Sequence, residues 1–591
     1  MDIFAVLSLV GGLALFLFGM DTMGDGLVKI SGGKLEAILE RLTSKRFMAL
    51  LTGAFVTAVI QSSSATTVMV VGFVNSGIME LEQVVGIIMG ANVGTTITSW
   101  ILSLTGIEGD NVFIKLLKPS SFSPVLAAIG IILSFAGKEG SKKKDVGSIL
   151  LGFAVLMFGM ETMSDSVAPL ADNEKFTSML LKFSNPILGM LAGAILTAVI
   201  QSSSASVGIL QALCATGAVT YSTAIPIIMG QNIGTCVTAL ISALGANRNA
   251  KRAAMIHLFF NLIGTVFFMV VFYSANRIAD FAFMHLFANA AGIAVIHSCF
   301  NVGCALLLFP FADKLVQLAK HVIHDGQDEE RASDLPSRLL ALDDRFVDNP
   351  SYAIGLCREA VNEMAVIAKD TFVLADDTLQ NYSKENAEAV KKKEDLLDLY
   401  DDYTGAYLIR ISARGMSNND NRNMSLLLHC ITDFERISDH SKNVAETAEA
   451  MKSREMNFSQ NAKSDIAKYS AALNDIIGLT VEAFLESNTE KARMVEPLEE
   501  VIDSMCKDMK SRHIARLQEG NCTHETSMYF EDMVTDYERI SDHCSNIAIS
   551  LIESDVDKFE PHHYLKNTMK NDTEWFQSKV FEYAEKYSLQ K

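Results

Sequence analysis

Long parts of this 591-residue chain carry no charge: Leu51 to Met79, Gln83 to Gly106 and Ile187 to Asn247 contain no Asp, Glu, Lys or Arg. A soluble domain rarely sustains such runs, and a bilayer demands them. Basic residues are also in deficit, 50 Lys and Arg against 69 Asp and Glu. Binding a phosphate backbone needs the opposite balance, which excludes nucleic acid as a partner. The nine cysteines form no Cys-x-x-Cys pair. Neither a zinc signature nor a disulfide framework is written in them, and reduced cytosolic thiols are the reading. No basic n-region precedes the first apolar segment at Ile3, which makes it a retained membrane helix and not a signal peptide. Lacking a nucleophile–base pair or a glycine-rich phosphate loop, the chain is not expected to be an enzyme.

Charge divides the chain in two. Met1 to Ala312 holds 17 basic and 16 acidic residues, and the remaining 279 residues hold 33 and 53. The first part reads as a membrane domain, 1–312. A linker, 313–339, leads to a soluble helical domain, 340–555, and a helical tail, 556–591.

The membrane domain is duplicated. Leu51 to Thr67 returns as Leu191 to Val207, Ile87 to Thr98 as Ile227 to Thr238, and Phe18 to Met23 as Phe158 to Met163, always at an offset of 140. A constant register over 80 residues indicates internal duplication. Crossings are expected at Ile3–Met20, Val84–Leu104, Ser121–Gly137, Gly147–Met163, Thr223–Leu244, Ala253–Tyr273 and Phe283–Phe309. Two further apolar segments, Phe47–Ser76 and Ile187–Gly217, are broken midway by Gln-Ser-Ser-Ser. Polar backbone at mid-depth is tolerated only inside protein or against a cavity, so both read as re-entrant hairpins. Basic clusters at Lys29, Lys34, Arg41, Lys45 and Arg46, at Lys138 and Lys142 to Lys144, and at Arg248, Lys251 and Arg252 all fit a cytosolic placement. Three crossings and a hairpin per repeat (about 3–137 and 147–273, with an extra helix at 283–309) then invert the two copies. The soluble part falls in the cytosol of a cell (inner) membrane protein.

Gln61, Ser62, Ser63 and Ser64, and Gln201, Ser202, Ser203 and Ser204, each open a half-helix. Its free N–H groups and partial positive charge, with the hydroxyls, suit an anion. Asn92 and Thr95, and their counterparts Asn232 and Thr235, add polar groups beside Gly94 and Gly234, where unwound helix is expected. With no Lys or Arg in either uncharged core, desolvating a multivalent anion needs a cation to enter with it. Oxygen ligands favour a hard ion such as sodium. Interhelical hydrogen bonding is the bland alternative for such serines and threonines, but two tetrads in equivalent positions weigh against it. His257 with Asn261 and His297 with Asn301 share a helical face; an interhelical hydrogen bond and a proton- or substrate-linked role are both open. Asp21 and Glu161 read as solvated anchors.

These doubled tetrads, each followed by Gly-x-Asn-x-Gly-Thr, and the His-x-x-Phe-Asn elements resemble the type II sodium/phosphate cotransporter family over residues 1 to 310. The resemblance implies uptake of inorganic phosphate with co-transported sodium, the tetrads lining the site and Gln61, Gln201, Asn92, Asn232, Thr95 and Thr235 supporting it.

A second duplication lies in the soluble part. Asp433 to Asn443 recurs as Asp536 to Asn546 at offset 103, and Glu394-x-x-x-Asp398 as Glu499-x-x-x-Asp503 at offset 105. With Glu435/Asp439 and Glu538/Asp542, four Glu-x-x-x-Asp units result. Acids at i and i+4 share a helix face and repel unless a cation lies between them; a bound metal and the neighbouring Arg436 and Arg539 are the alternatives. This part resembles PhoU, a phosphate-uptake regulator. That implies two three-helix bundles whose motif acids bind iron or zinc.

The whole chain thus reads as all-α: a polytopic membrane protein of two inverted repeats with re-entrant hairpins, plus a cytosolic PhoU-like pair of three-helix bundles. Its partners are phosphate, sodium and the lipid bilayer, and a homodimer is compatible with this reading. A transporter or exporter of phosphate or another oxyanion with different coupling, a tethered metalloenzyme and a non-transporting sensor are the competing classes.

Overall fold

The computed structural model describes residues 3–31, 35, 38–39, 45–106, 119–137, 141–169, 173, 178, 180–214, 216–324, 335–414, 416–520, 522–554 and 573–589. Lys34, Arg41 and Lys138 of the basic clusters, linker residues 325–334 and tail residues 556–572 lie outside them. The chain separates into two units, Met1–Tyr352 and Ala353–Lys591. Both are helical.

The first unit contains α1 (Ile3–Ser31), α2 (Arg46–Ile60), α3 (Ser63–Asn75), α4 (Leu81–Ser103), α5 (Pro119–Ala136), α6 (Lys142–Val167), α7 (Pro186–Ile200), α8 (Ser203–Cys214), α9 (Tyr221–Ser242), α10 (Arg248–Ala279), α11 (Ala290–Leu308), α12 (Ala312–Val322) and a single turn, α13 (Ser337–Leu340). Six helices among the described residues are long and apolar enough to cross a membrane. Side chains such as Phe4, Leu7 and Ile278 on these helices, and Phe135 and Val199 on the shorter apolar α5 and α7, stand exposed, an apolar surface that a hydrocarbon layer covers. The crossing expected at Ser121–Gly137 is the shorter α5. The one expected at Phe283–Phe309 begins only at Ala290, where Asn289 accepts from Gly292 N (2.7 Å) and caps the helix. The residues just before it bridge back to Thr220. The linker expected at 313–339 starts as α12, whose Leu315, Val316 and Ala319 are buried.

Glycines set the helix packing. A Cβ on Gly90 would lie 2.0 Å from Leu50 O, and one on its repeat partner Gly230 1.9 Å from Met190 O. The segments carrying these glycines, α4 and α9, therefore lie backbone to backbone, and parallel, with α2 and α7. The glycines read as marking unwound helix do the reverse: α4 and α9 run unbroken through Gly94 and Gly234, because the missing side chain serves the close approach. The equivalent helices α1 and α6 meet differently. Gly12 faces Gly159, Gly19 faces Gly152 and Gly26 faces Asp145 and Ile149, so rising numbers on one helix meet falling numbers on the other. This antiparallel seam maps onto itself under the 140-residue offset.

Polar ties gather several basic segments on one side. Arg46 pairs with Asp313 (2.5 Å) and Lys320 with Glu82 (2.9 Å). Arg252 donates to Ile323 O (2.8 Å), and Asn247 Nδ2 to Asn75 O (2.7 Å).

The second unit holds most of α14 (Pro350–Gln380), then α15 (Lys384–Ser412), α16 (Asn418–Ser453), α17 (Gln460–Glu486), the short α18 (Thr489–Ala492), α19 (Val495–Gln518), α20 (His524–Ser554) and α21 (Thr573–Tyr587). Its core stacks Phe372, Phe434, Phe484, Tyr469 and Tyr537, all fully buried. Buried Asp376 accepts from Tyr537 Oη (2.6 Å) and Ser470 Oγ (2.5 Å), tying α14 to α20 and α17. The two halves join along α16 and α20 through a reciprocal clasp. His440 Nδ1 lies 2.8 Å from Asp536 Oδ1 and His543 Nδ1 2.8 Å from Asp433 Oδ1, with the two imidazoles stacked at 5.8 Å.

Candidate functional site

Each broken apolar segment is two half-helices meeting at a left-handed glutamine. Gln61 (φ 62°) and Gln201 (φ 58°) end α2 and α7, and their N–H groups donate back to Thr57 O (2.8 Å) and Thr197 O (2.7 Å). Left-handed backbone at a residue with a side chain is uncommon and costs energy, so the surrounding fold must hold it. Ser62 and Ser202 then cap the returning helices, accepting from Ala65 N (3.1 Å) and Ala205 N (3.2 Å). The hydroxyls of Ser63 and Ser203 make no hydrogen bond within the protein among the described residues, although both serines are buried. The first amides of α3 and α8 have no partner within their own helices.

The structure brings the two tetrads together: Ser64 Oγ donates to Gln201 O at 3.4 Å, across 137 residues. All eight tetrad residues line one cavity of about 460 Å³. Three acids line it too, Asp21 and Asp25 of α1 and Asp348, with Arg345 as the basic residue. Asp21, expected to be a solvated anchor, is exposed and also lines this cavity from the C-terminal half of α1.

The hairpins differ. Thr98 Oγ1 donates to Gln61 Oε1 (2.8 Å) and fastens that side chain. Its repeat partner Thr238 lines the cavity with a buried hydroxyl that has no partner among the described residues, and Gln201 is exposed to the cavity. Sequence reasoning missed Thr238, although the 140-residue offset from Thr98 carried the signal.

Asn92, Thr95, Asn232 and Thr235 are buried but do not line the cavity. Each bonds back to its own helix: Asn92 to Ile88 O (2.9 Å), Thr95 to Ala91 O (3.0 Å), Asn232 to Ile228 O (3.0 Å) and Thr235 to Gln231 O (3.0 Å). Continuous α4 and α9 offer these carbonyls at i−4, which satisfies the side chains locally. The same holds for Asn261 and Asn301, bonded to His257 O (3.0 Å) and His297 O (2.9 Å). Asn261 Nδ2 also donates across to Cys236 Sγ of α9 (3.4 Å), an interhelical bond, whereas both ring nitrogens of His257 and Nδ1 of His297 lack partners among the described residues.

In the second unit, Glu499, Asp503 and Asp542 bring one oxygen each within 4.8 Å of one another, a donor set that suits a hard or borderline cation. Burial and then the neighbouring carboxylates push Glu499 up to about 8, and Asp542 is raised by burial. Glu538 stands apart, held by Lys510 (3.1 Å) and Cys506 (3.2 Å). The equivalent acids of the first half do not form such a group among the described residues. Glu394 is bound by Lys442 (2.8 Å), while burial and then Asp439 push Glu435 up to about 7. Asp398 is raised by burial and by Asp439. At the position equivalent to Lys442 stands Ser545, bonded to Glu496. Among the described residues Glu499 therefore lacks the fixed cation that Lys442 gives its counterpart Glu394. Salt bridges are present as well, Arg436 to Glu435 (3.6 Å), Lys507 to Asp503 (3.7 Å) and Arg539 to Asp542 (3.4 Å).

Paired hairpins whose tips share a polar cavity between membrane-length helices define a polytopic membrane transport protein. Residues 15–165 and 155–298 match the Na+/Pi-cotransporter family, and 361–448 and 466–551 match the PhoU domain. The chain belongs to the Na+/Pi-cotransporter family and carries two PhoU domains after its membrane repeats. Among relatives, YjbB of Escherichia coli (strain K12), named for inorganic phosphate export, is 24% identical over 93% of this chain and 97% of its own length. The sodium-dependent phosphate transport protein 2A of Ovis aries is 23% identical over 43% of this chain and 58% of its own. A solved structure of PhoU from Pseudomonas aeruginosa aligns with 34% of this chain and 94% of its own, at 19% identity and a TM-score of 0.32.

Proposed function

We propose that the chain moves inorganic phosphate across the cell membrane together with a cation, sodium being the ion the oxygen-rich cavity suits. Residues up to 312 would be the transport domain, and the second unit a cytosolic regulatory region. The single observation that carries this reading is the contact of Ser64 with Gln201: it brings two half-helix N-termini and two serine tetrads onto one cavity. Free amides, hydroxyls and helix dipoles supply the anion ligands. Asp21 and Asp25 supply negative charge for the accompanying cation. The self-mapping antiparallel seam of α1 and α6 supports inverted repeats, the arrangement that lets a central site face either side in turn. Asn92, Asn232, Thr95 and Thr235 then act by holding α4 and α9 in shape.

In the regulatory region Glu499, Asp503 and Asp542 are the residues that would hold iron, zinc or a similar ion, which would neutralise their mutual repulsion. Lys442 does this for the first cluster.

Labelled phosphate flux in proteoliposomes holding the full chain tests the proposal. Accumulation driven by an inward sodium gradient supports it. Flux without dependence on sodium removes the coupling, and absence of phosphate flux in tight vesicles removes the substrate. Export is the second reading, favoured by the nearly full-length similarity to proteins named for it. An outward gradient applied to the same vesicles distinguishes the two directions.

A further inference from the structure

The membrane unit does not end with its last membrane helix; residues 335–352 fold back onto it. Phe346 packs against Phe73 of α3 at 5.3 Å between ring centroids and against Tyr352 at 5.2 Å. It takes the space that a side chain on Gly72 would need, since a Cβ there would lie 2.8 Å from Phe346 Cζ. Asp343 accepts from Asn75 Nδ2 at 2.6 Å, at the end of the same half-helix, and from Arg345 N at 2.9 Å. These contacts fix the turn that carries Arg345 at the wall of the cavity lined by both tetrads. The Arg345 side chain is only 17% exposed. It approaches Asp343 Oδ2 at 3.4 Å through Nη1, which makes no hydrogen bond among the described residues. A guanidinium that is mostly buried, loosely paired and at the wall of a polar cavity is an anion ligand in waiting.

We propose that Arg345 is a phosphate ligand of the central site, brought to it by the docked 343–352 segment, so that the site is complete only while this cap sits on α3. The inference rests on the phosphate reading above. It supplies the fixed positive charge that the uncharged core of neither repeat contains. It also couples closure to charge: undocking the cap opens the cavity and withdraws the guanidinium together, which favours release of the anion. Tyr352 of the cap lies in the first turns of α14, the helix that continues to Gln380. A rotation or shift of that helix therefore has a direct covalent path to the cap.

The test is equilibrium binding of labelled inorganic phosphate to the purified full chain, in sodium, with monodispersity recorded for every variant. Arg345→Gln is expected to weaken binding about 10- to 100-fold, the factor carried by a charge-assisted hydrogen bond, and Arg345→Lys to recover most of it. Gly72→Leu should reproduce the Arg345→Gln loss with the arginine intact, by displacing Phe346. Wild-type affinity in a folded Arg345→Gln overturns the proposal. Wild-type protein that binds no phosphate at all refutes the substrate reading itself, and the assignment of Arg345 falls with it.

Discussion

Replacing Ser63 and Ser203 together by alanine should abolish phosphate transport and leave the fold intact. Each tetrad holds two kinds of serine. Ser62 and Ser202 are helix caps whose oxygens accept backbone N–H groups at 3.1 and 3.2 Å. Truncating a cap costs about 1 kcal/mol, so Ser62→Ala and Ser202→Ala should each lose about that much stability. The hydroxyls of Ser63 and Ser203 have no protein partner among the described residues, and their loss removes no internal bond. If each donates to the bound anion, it contributes about 1.5–3 kcal/mol as a bond to a charged group. Losing both weakens phosphate by a factor of at least about 100. Initial uptake rates in proteoliposomes, measured beside melting curves for both double variants, check this. The expected pattern is transport lost at near-native stability for the Ser63/Ser203 pair, and reduced stability for the Ser62/Ser202 pair. Normal uptake by a folded Ser63→Ala, Ser203→Ala protein refutes the site.

Gly90→Ala should destabilise the membrane unit by about 1–3 kcal/mol or more, because the added methyl meets backbone 2.0 Å away that cannot yield as a side chain does; an unchanged melting temperature would count against the close α2–α4 contact. In the second unit, Glu499 at about 8 binds its proton more tightly folded than unfolded, so between its ordinary carboxylate range and pH 8 the metal-free protein should lose stability as pH rises. Saturating zinc should flatten that slope, since the metal takes the deprotonated form; melting curves from pH 5 to 8 in chelator and in zinc decide it. Ser545→Lys should abolish zinc binding at this cluster by installing the cation that Lys442 provides in the first half, and elemental analysis showing unchanged metal would sink the idea. Asp433→Asn should destabilise the second unit by about 1.5–3 kcal/mol, the contribution of a bond to a charged group. Asp433→Asn with Asp536→Asn should cost less than the sum, because the two imidazoles stack.

Much of the membrane unit was legible because lipid imposes its rule residue by residue. Uncharged runs of crossing length, and polar tetrads that lipid forbids, mark helices and hairpins without reference to any partner. The 140-residue repeat did the rest, since a duplicated segment must satisfy the same local constraints twice. The Glu-x-x-x-Asp motif was legible only in part. Spacing on a helix places Glu and Asp on one face, but it does not say that Lys442 reaches Glu394 while Ser545 leaves Glu499 without a cation.

By itself the sequence determined the helices, the two duplications and the serine tetrads at the breaks, all of which depend on neighbours within a few residues. Only the tertiary structure decided which polar groups face the cavity. Asn92 and Thr95 look as suitable as Ser63, yet they bond to carbonyls of their own continuous helix, while the break after Gln61 leaves Ser63 without one. Glycines that suggested unwinding serve helix contact for the same reason: the approach of α2 to α4, 40 residues apart, is invisible until the chain is folded. The return of residues 343–352 to α3 is longer in range still. Phe346 meets Gly72 and Asp343 meets Asn75 across more than 260 residues, and no local pattern encodes a meeting at that distance.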